Sequence, residues 1–168
     1  MLLKGTAWKF GDDISTDLIA PGRLFHLRTN LPELTKHVLE DADPGFAKKV
    51  RAGDFVVAGK NFGLGSSREH APRIIKLAGV SAVIAKSFAR IFYRNAINIG
   101  LPLLECDPAL IENGDQLEVD LKAGTINIVR KNKQLEFIPM PEVMVRLVND
   151  GGLIEHIKKH GDFKLQQG

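Results

Sequence analysis

With 168 residues, 44% of them hydrophobic and 26% charged, the chain has the size and composition of one globular domain, which buries about two-thirds of its unfolded surface without disulfides or a structural metal. A net charge of +3, with Lys and Arg scattered among acidic residues, excludes the concentrated basic footprint of a nucleic-acid binder but leaves small anions open as ligands. No window approaches the ~18 apolar residues of a membrane span, and Met1 to Phe10 lacks the apolar core of a secretory signal, which together predict a cytoplasmic protein with no membrane partner.

Leu2 to Phe10 reads as a strand. Behind it, Gly11 to Gly22 packs turn formers so densely that a long loop is expected, and loops of that length inside a compact domain are usually functional. Short helices are predicted to start near Leu31-Pro32 and Asp43-Pro44, each with a favoured cap residue or an early proline. From Asp54 the pattern alternates: strand Phe55–Gly59, helix Ser67–Ala78, strand Ala82–Ala85, helix Phe88–Ile99, strand Leu101–Leu104. That alternation predicts βαβ units with a parallel sheet, Ser67 capping the first helix and Gly79 and Gly100 closing the two.

After Asn113-Gly114 the alternating runs 116–121, 126–129 and 135–138 read as an antiparallel meander, and helices over 141–149 and 153–160 complete the chain. No linker divides it, so the expectation is a single α/β domain over residues 1–168 with a mixed, partly parallel sheet, ordered except for its last few residues. The one cysteine, Cys106, forms no internal disulfide and cannot alone hold a structural zinc or an iron-sulfur cluster; it reads as a buried strand residue. Asp12 and Asp13 fall short of a calcium site, so no metal set is assigned to this chain.

Chemistry concentrates in Gly59-Lys-Asn-Phe-Gly-Leu-Gly-Ser-Ser-Arg-Glu-His-Ala71, which leaves a buried strand, crosses a glycine-rich loop and enters a helix at Ser66 or Ser67. Such a junction suits an anion: Gly63 and Gly65 let the backbone come close, the first helical turn offers N–H groups, and Arg68 presents a planar fork that matches a carboxylate. Nucleotide motifs do not fit. The dinucleotide fingerprint lacks its third glycine, because position 68 is Arg, and a phosphate loop needs Gly-Lys-Ser or Gly-Lys-Thr after four spacers.

Gly-x-Gly-Ser-Ser-Arg-Glu-His-Ala is similar to the active-site loop of the aconitase superfamily's swivelling domain. The likeness extends upstream to Gly11-Asp-Asp-Ile-Ser-Thr-Asp17 and downstream to Ala85-Lys-Ser-Phe-Ala-Arg-Ile-Phe-Tyr-Arg-Asn-Ala-Ile-Asn-Ile-Gly100, in the family's order and over essentially the whole chain. It implies a swivelling β/β/α domain with active-site loops at 11–30 and 59–71. It also implies a hydro-lyase that isomerises a hydroxy di- or tricarboxylate by removing and returning water, and only in complex with a larger chain, as heterodimer or heterotetramer. The [4Fe-4S] cluster of such enzymes is expected on that partner.

By the same resemblance Ser66 is the base that takes a proton next to a carboxylate, Asp17 lines the site, and Gly65, Ser67 and Arg68 hold substrate. A serine needs strong stabilisation of its oxyanion for that work, which helix N–H groups and nearby cations are expected to supply. Glu69 and His70 stand as supporting groups or as solvated surface, while Arg90 and Arg94, one helical turn apart, lean toward the subunit interface. Specificity is expected in residues 24–29: Leu24, Phe25 and Leu27 could form an apolar patch, Arg28 could meet a further carboxylate, and His26 and Thr29 complete the loop. The isopropylmalate branch of the family and the leucine pathway come first. The homoaconitate branch is the alternative, because Leu27-Arg28-Thr29 is kept although His26 replaces a tyrosine; a non-catalytic anion-binding module is a third reading.

Overall fold

A computed structural model describes residues 2–161; the last few residues, expected to be loose, fall outside that span. Four strands run parallel: β1 (Leu2–Lys9), β2 (Phe55–Ala58), β3 (Ala82–Ala85) and β4 (Leu103–Glu105). Three more, β5 (Gln116–Asp120), β6 (Thr125–Ile128) and β7 (Lys133–Glu136), continue antiparallel from the other edge of β1. The order β4-β3-β2-β1-β5-β6-β7 makes one mixed sheet, as the alternating pattern followed by a meander predicts. Among the described residues no helix is long and apolar enough to cross a membrane.

The parallel strands are apolar along their whole length because both faces are covered. Val56, Ala58, Val83 and Ala85 pack with Phe46, Ile74, Ile75 and Phe92 of the helical layer. Phe55, Val57, Ala82 and Ile84 turn the other way and meet Leu117, Val119, Ile126 and Ile128 from the meander, so the sheet curls over its own second core. The helical layer comprises α1 (Thr16–Ile19), α2 (Leu31–Thr35), α3 (Phe46–Lys49), α4 (His70–Leu77) and α5 (Arg90–Asn98), with α6 (Glu142–Asn149) and α7 (Leu153–His160) closing on α5.

Several boundaries differ from the sequence expectation, each for a local reason. The long loop after β1 contains α1, capped by the Ser15 hydroxyl, and a 3-10 helix over Gly22–Thr29. The second short helix starts at Phe46 instead of Asp43, whose side chain accepts from Gly45 N in a turn. Strand β4 begins at Leu103 and Cys106 sits just past its end, half-buried rather than inside it. The largest difference is at α4, which starts at His70; Ser67 caps nothing, and no side chain caps that helix.

One buried carboxylate ties the start of the sheet together. Asp54, 6% exposed, accepts from Thr6 N at 3.1 Å, Trp8 Nε1 at 2.9 Å and Arg51 N at 2.9 Å. Beside it β1 passes so close to the β2 approach that a Cβ on Gly5 would lie 2.1 Å from the Gly53 carbonyl oxygen. Asp54→Ala leaves three donors without their acceptor, and urea unfolding should show a loss of about 3 kcal/mol or more with an unchanged m-value.

Candidate functional site

Because β1, β2 and β3 run parallel, the loops leaving their carboxyl ends gather on one edge of the sheet, the usual place for a ligand in such folds. Loop 59–69 is stitched to both neighbours. Gly63 N donates to Ile14 O at 2.7 Å and Thr16 N to Leu64 O at 2.9 Å, linking it to the loop after β1. Phe62 N donates to Ser87 O at 3.0 Å and Ala89 N to Phe62 O at 2.9 Å, linking it to the segment between β3 and α5.

Gly63 allows this stitching. Its φ is +85°, and a Cβ would come 2.2 Å from the Phe92 ring, so a side chain here would force the loop off α5. Gly65, with φ +107°, turns the chain again and leaves Ser66 and Ser67 in solvent. The Ser66 carbonyl accepts from Thr16 Oγ1 at 3.1 Å, which fixes the serine backbone against α1. A cavity of about 200 Å³ opens here, its wall including Thr16, Ser66, Ser67, Arg68, Arg90 and Asn95.

Arg68 is the centre of the site. Its Nε donates to Ser66 Oγ at 3.0 Å, Nη1 to the Ala20 carbonyl at 3.3 Å, and Nη2 pairs with the Asp17 carboxylate. A guanidinium has five N–H groups, so two remain for a ligand. A cation donating directly to a hydroxyl oxygen favours its ionised form. Of the two groups expected to stabilise a charge at Ser66, Arg68 is in contact with its hydroxyl, whereas the first helical turn is not, because α4 begins four residues later.

Phe25 is close to two cations. Arg28 lies over its ring at 4.2 Å and Arg68 faces it at 5.5 Å, while the His70 ring meets it edge-on at 6.0 Å. Arg28 also donates to the Phe25 carbonyl at 3.1 Å, holding its guanidinium close to its own turn. His70 has a lowered pKa through burial first, then Arg68 and Arg28, so a neutral imidazole stands beside two fixed positive charges.

Of the residues singled out in the sequence, Ser66, Asp17, Arg68, Arg28 and Phe25 come together, with Gly65 and Ser67 on the same loop. Leu24 and Leu27 do not join Phe25 in an apolar patch; they pack inward against the core. His26 and Thr29 are exposed on the 3-10 helix, and Glu69 is exposed beside the helix start. Arg90 belongs to the cavity wall, whereas Arg94 is exposed and not part of it. Thr16 and Asn95 were not visible as site residues: Asn95 lies five positions into a helix that advertises only its apolar face, and Thr16 reads as one more turn former.

The profile of the Aconitase C-terminal domain family matches residues 27–108. The chain is 64% identical over 165 residues to the 3-isopropylmalate dehydratase small subunit 2 of Archaeoglobus fulgidus, spanning 98% of this chain and 100% of that one. It is 59% identical over 163 residues to the 3-isopropylmalate dehydratase small subunit 1 of Thermotoga maritima, with 96% and 98% covered. The crystal structure of 3-isopropylmalate dehydratase from Methanocaldococcus jannaschii superposes with a TM-score of 0.91 at 46% identity, over 96% of each chain.

Proposed function

Since the chain belongs to the family of 3-isopropylmalate dehydratase small subunits, whose members carry the aconitase C-terminal domain fold, we propose that its Ser66 loop is one half of an active site completed by a large subunit. The reaction interconverts 2-isopropylmalate and 3-isopropylmalate through loss and return of water, the step these enzymes serve in leucine biosynthesis. Ser66 takes the proton from the carbon beside a carboxylate, and Arg68 holds that carboxylate with its remaining N–H groups. Asp17 orients Arg68 from the far side. The observation that carries this reading is the Arg68 Nε bond to Ser66 Oγ at 3.0 Å at the mouth of a solvent-open cavity.

An iron-sulfur cluster does not fit this chain. Its single cysteine, Cys106, has its thiol pushed up to about 11, by burial first and then by Asp107, the reverse of the thiolate a cluster requires. We assign the [4Fe-4S] cluster to the large subunit, where it would supply Lewis-acid chemistry. What the present residues do is position the substrate, carry the proton at Ser66 Oγ and close the site from water when the two chains meet in the cytoplasm.

A second substrate is favoured by one feature, the Arg28 guanidinium stacked on the same ring as Arg68. A homoaconitate-type molecule carries a third carboxylate that Arg28 would reach. The test is an assay of the reconstituted two-chain enzyme with isopropylmalate and with homoaconitate, repeated with Arg28→Val. The expected result is preference for isopropylmalate in the native enzyme, and a further ~10- to 100-fold loss on homoaconitate alone in the variant, the worth of one charged hydrogen bond. Equal losses on both substrates would remove Arg28 from specificity, and turnover by this chain without a partner would refute the half-site.

A further inference from the structure

A second cluster of ionisable side chains forms where α6 and α7 meet. Asp150 caps the C-terminus of α6, and His156 and His160 lie one turn apart on α7, which places both imidazoles on one helix face. His156 Nδ1 is 2.6 Å and His160 Nε2 3.0 Å from the same oxygen, Asp150 Oδ2. The three atoms that could ligate an ion lie within 4.8 Å of one another. The other carboxylate oxygen, Oδ1, accepts from Lys159 Nζ at 3.0 Å.

We propose that Asp150, His156 and His160 bind a divalent transition-metal ion of the zinc class, which clamps α7 to the end of α6. Two imidazoles with one carboxylate is a zinc donor set, and the fourth position would be open to water on the side of the half-exposed His160. Zn–N and Zn–O bonds of about 2.0–2.1 Å in a tetrahedron set ligand atoms ~3.3 Å apart. The 2.6 and 3.0 Å contacts to Asp150 therefore need to open by tenths of an ångström, while the two imidazoles, within 4.8 Å of each other, need to draw together by rotation of the more exposed His160.

Burial favours the same reading. The side chains of Asp150 and His156 are 8% and 4% exposed, so two of the three ligands are already desolvated and held by packing. Lys159 engages the oxygen that faces away from the imidazoles and so keeps the carboxylate monodentate through Oδ2, as outer-shell partners of metal ligands do. The third ligand joins the two histidines only when α6 and α7 pack.

The site is independent of the serine loop, and its test needs no activity. The full chain, stripped with chelator, is unfolded thermally with and without Zn²⁺. At a zinc concentration about a hundredfold above Kd the expected gain in Tm is roughly 5–10 °C. Cys106→Ser should keep that gain and His160→Ala should lose it; being partly exposed, His160 can be removed without emptying the core. Cobalt in place of zinc should give the intense visible bands of a tetrahedral site in the native chain and not in His160→Ala. No rise in Tm with zinc, or an equal rise in His160→Ala, would overturn the proposal and leave the cluster as an ion-pair network around Asp150.

Discussion

Replacing Ser66 by Ala should lower turnover of the reconstituted enzyme by about a hundred- to ten-thousand-fold, the range that one positioned acid–base group supplies. Stability should stay within about 1 kcal/mol, because Ser66 is exposed, water can take over the Arg68 bond to its hydroxyl, and the bond from Thr16 reaches its backbone carbonyl. Association with the large subunit should survive for the same reason. The neighbouring Ser67→Ala is the control. Ser67 shares the cavity wall, yet Arg68 donates to the hydroxyl of residue 66, so the Ser67 change should act mainly on KM. If Ser66→Ala turned over at the native rate, or Ser67→Ala suffered the larger loss of kcat, the proton would be carried by another group.

The sheet was legible because both of its halves announce themselves locally. Uninterrupted apolar runs at 55–58 and 82–85 mark strands covered on both faces, and strict alternation at 116–120 marks one covered on a single face. The site was legible less completely, since its geometry depends on bonds between distant segments. Ser67 looks like a helix cap in any local reading, but the turn holding Arg68 N to Ser66 O at 2.9 Å delays the helix to His70. Arg68 thereby turns back on its own loop to reach Ser66 and Asp17. The part given to Phe25 was equally hidden. An apolar patch was expected from three residues of one loop, whereas the 3-10 path of Gly22–Thr29 sends Leu24 and Leu27 inward and leaves one ring close to two guanidinium groups.

Arg68→Lys separates the two tasks that one guanidinium performs. Lysine keeps the positive charge but not the planar fork, so it can approach either the Ser66 hydroxyl or a substrate carboxylate and cannot bridge them as Nε and the Nη groups do. Loss of one charged hydrogen bond costs about 1.5–3 kcal/mol, which predicts a ~10- to 100-fold fall in kcat/KM for the lysine variant. Arg68→Ala loses both contacts and leaves Asp17 without its partner, so its fall should be about a thousandfold or more, divided between a higher KM and a lower kcat. The cation also favours ionisation of the serine. Without it the rate of Arg68→Ala should still be climbing with pH where the native enzyme has levelled, and Arg68→Lys should lie between the two. A variant whose KM alone changed, with the native pH profile, would confine Arg68 to holding substrate and leave the acidity of Ser66 to some other positive charge in the assembled site.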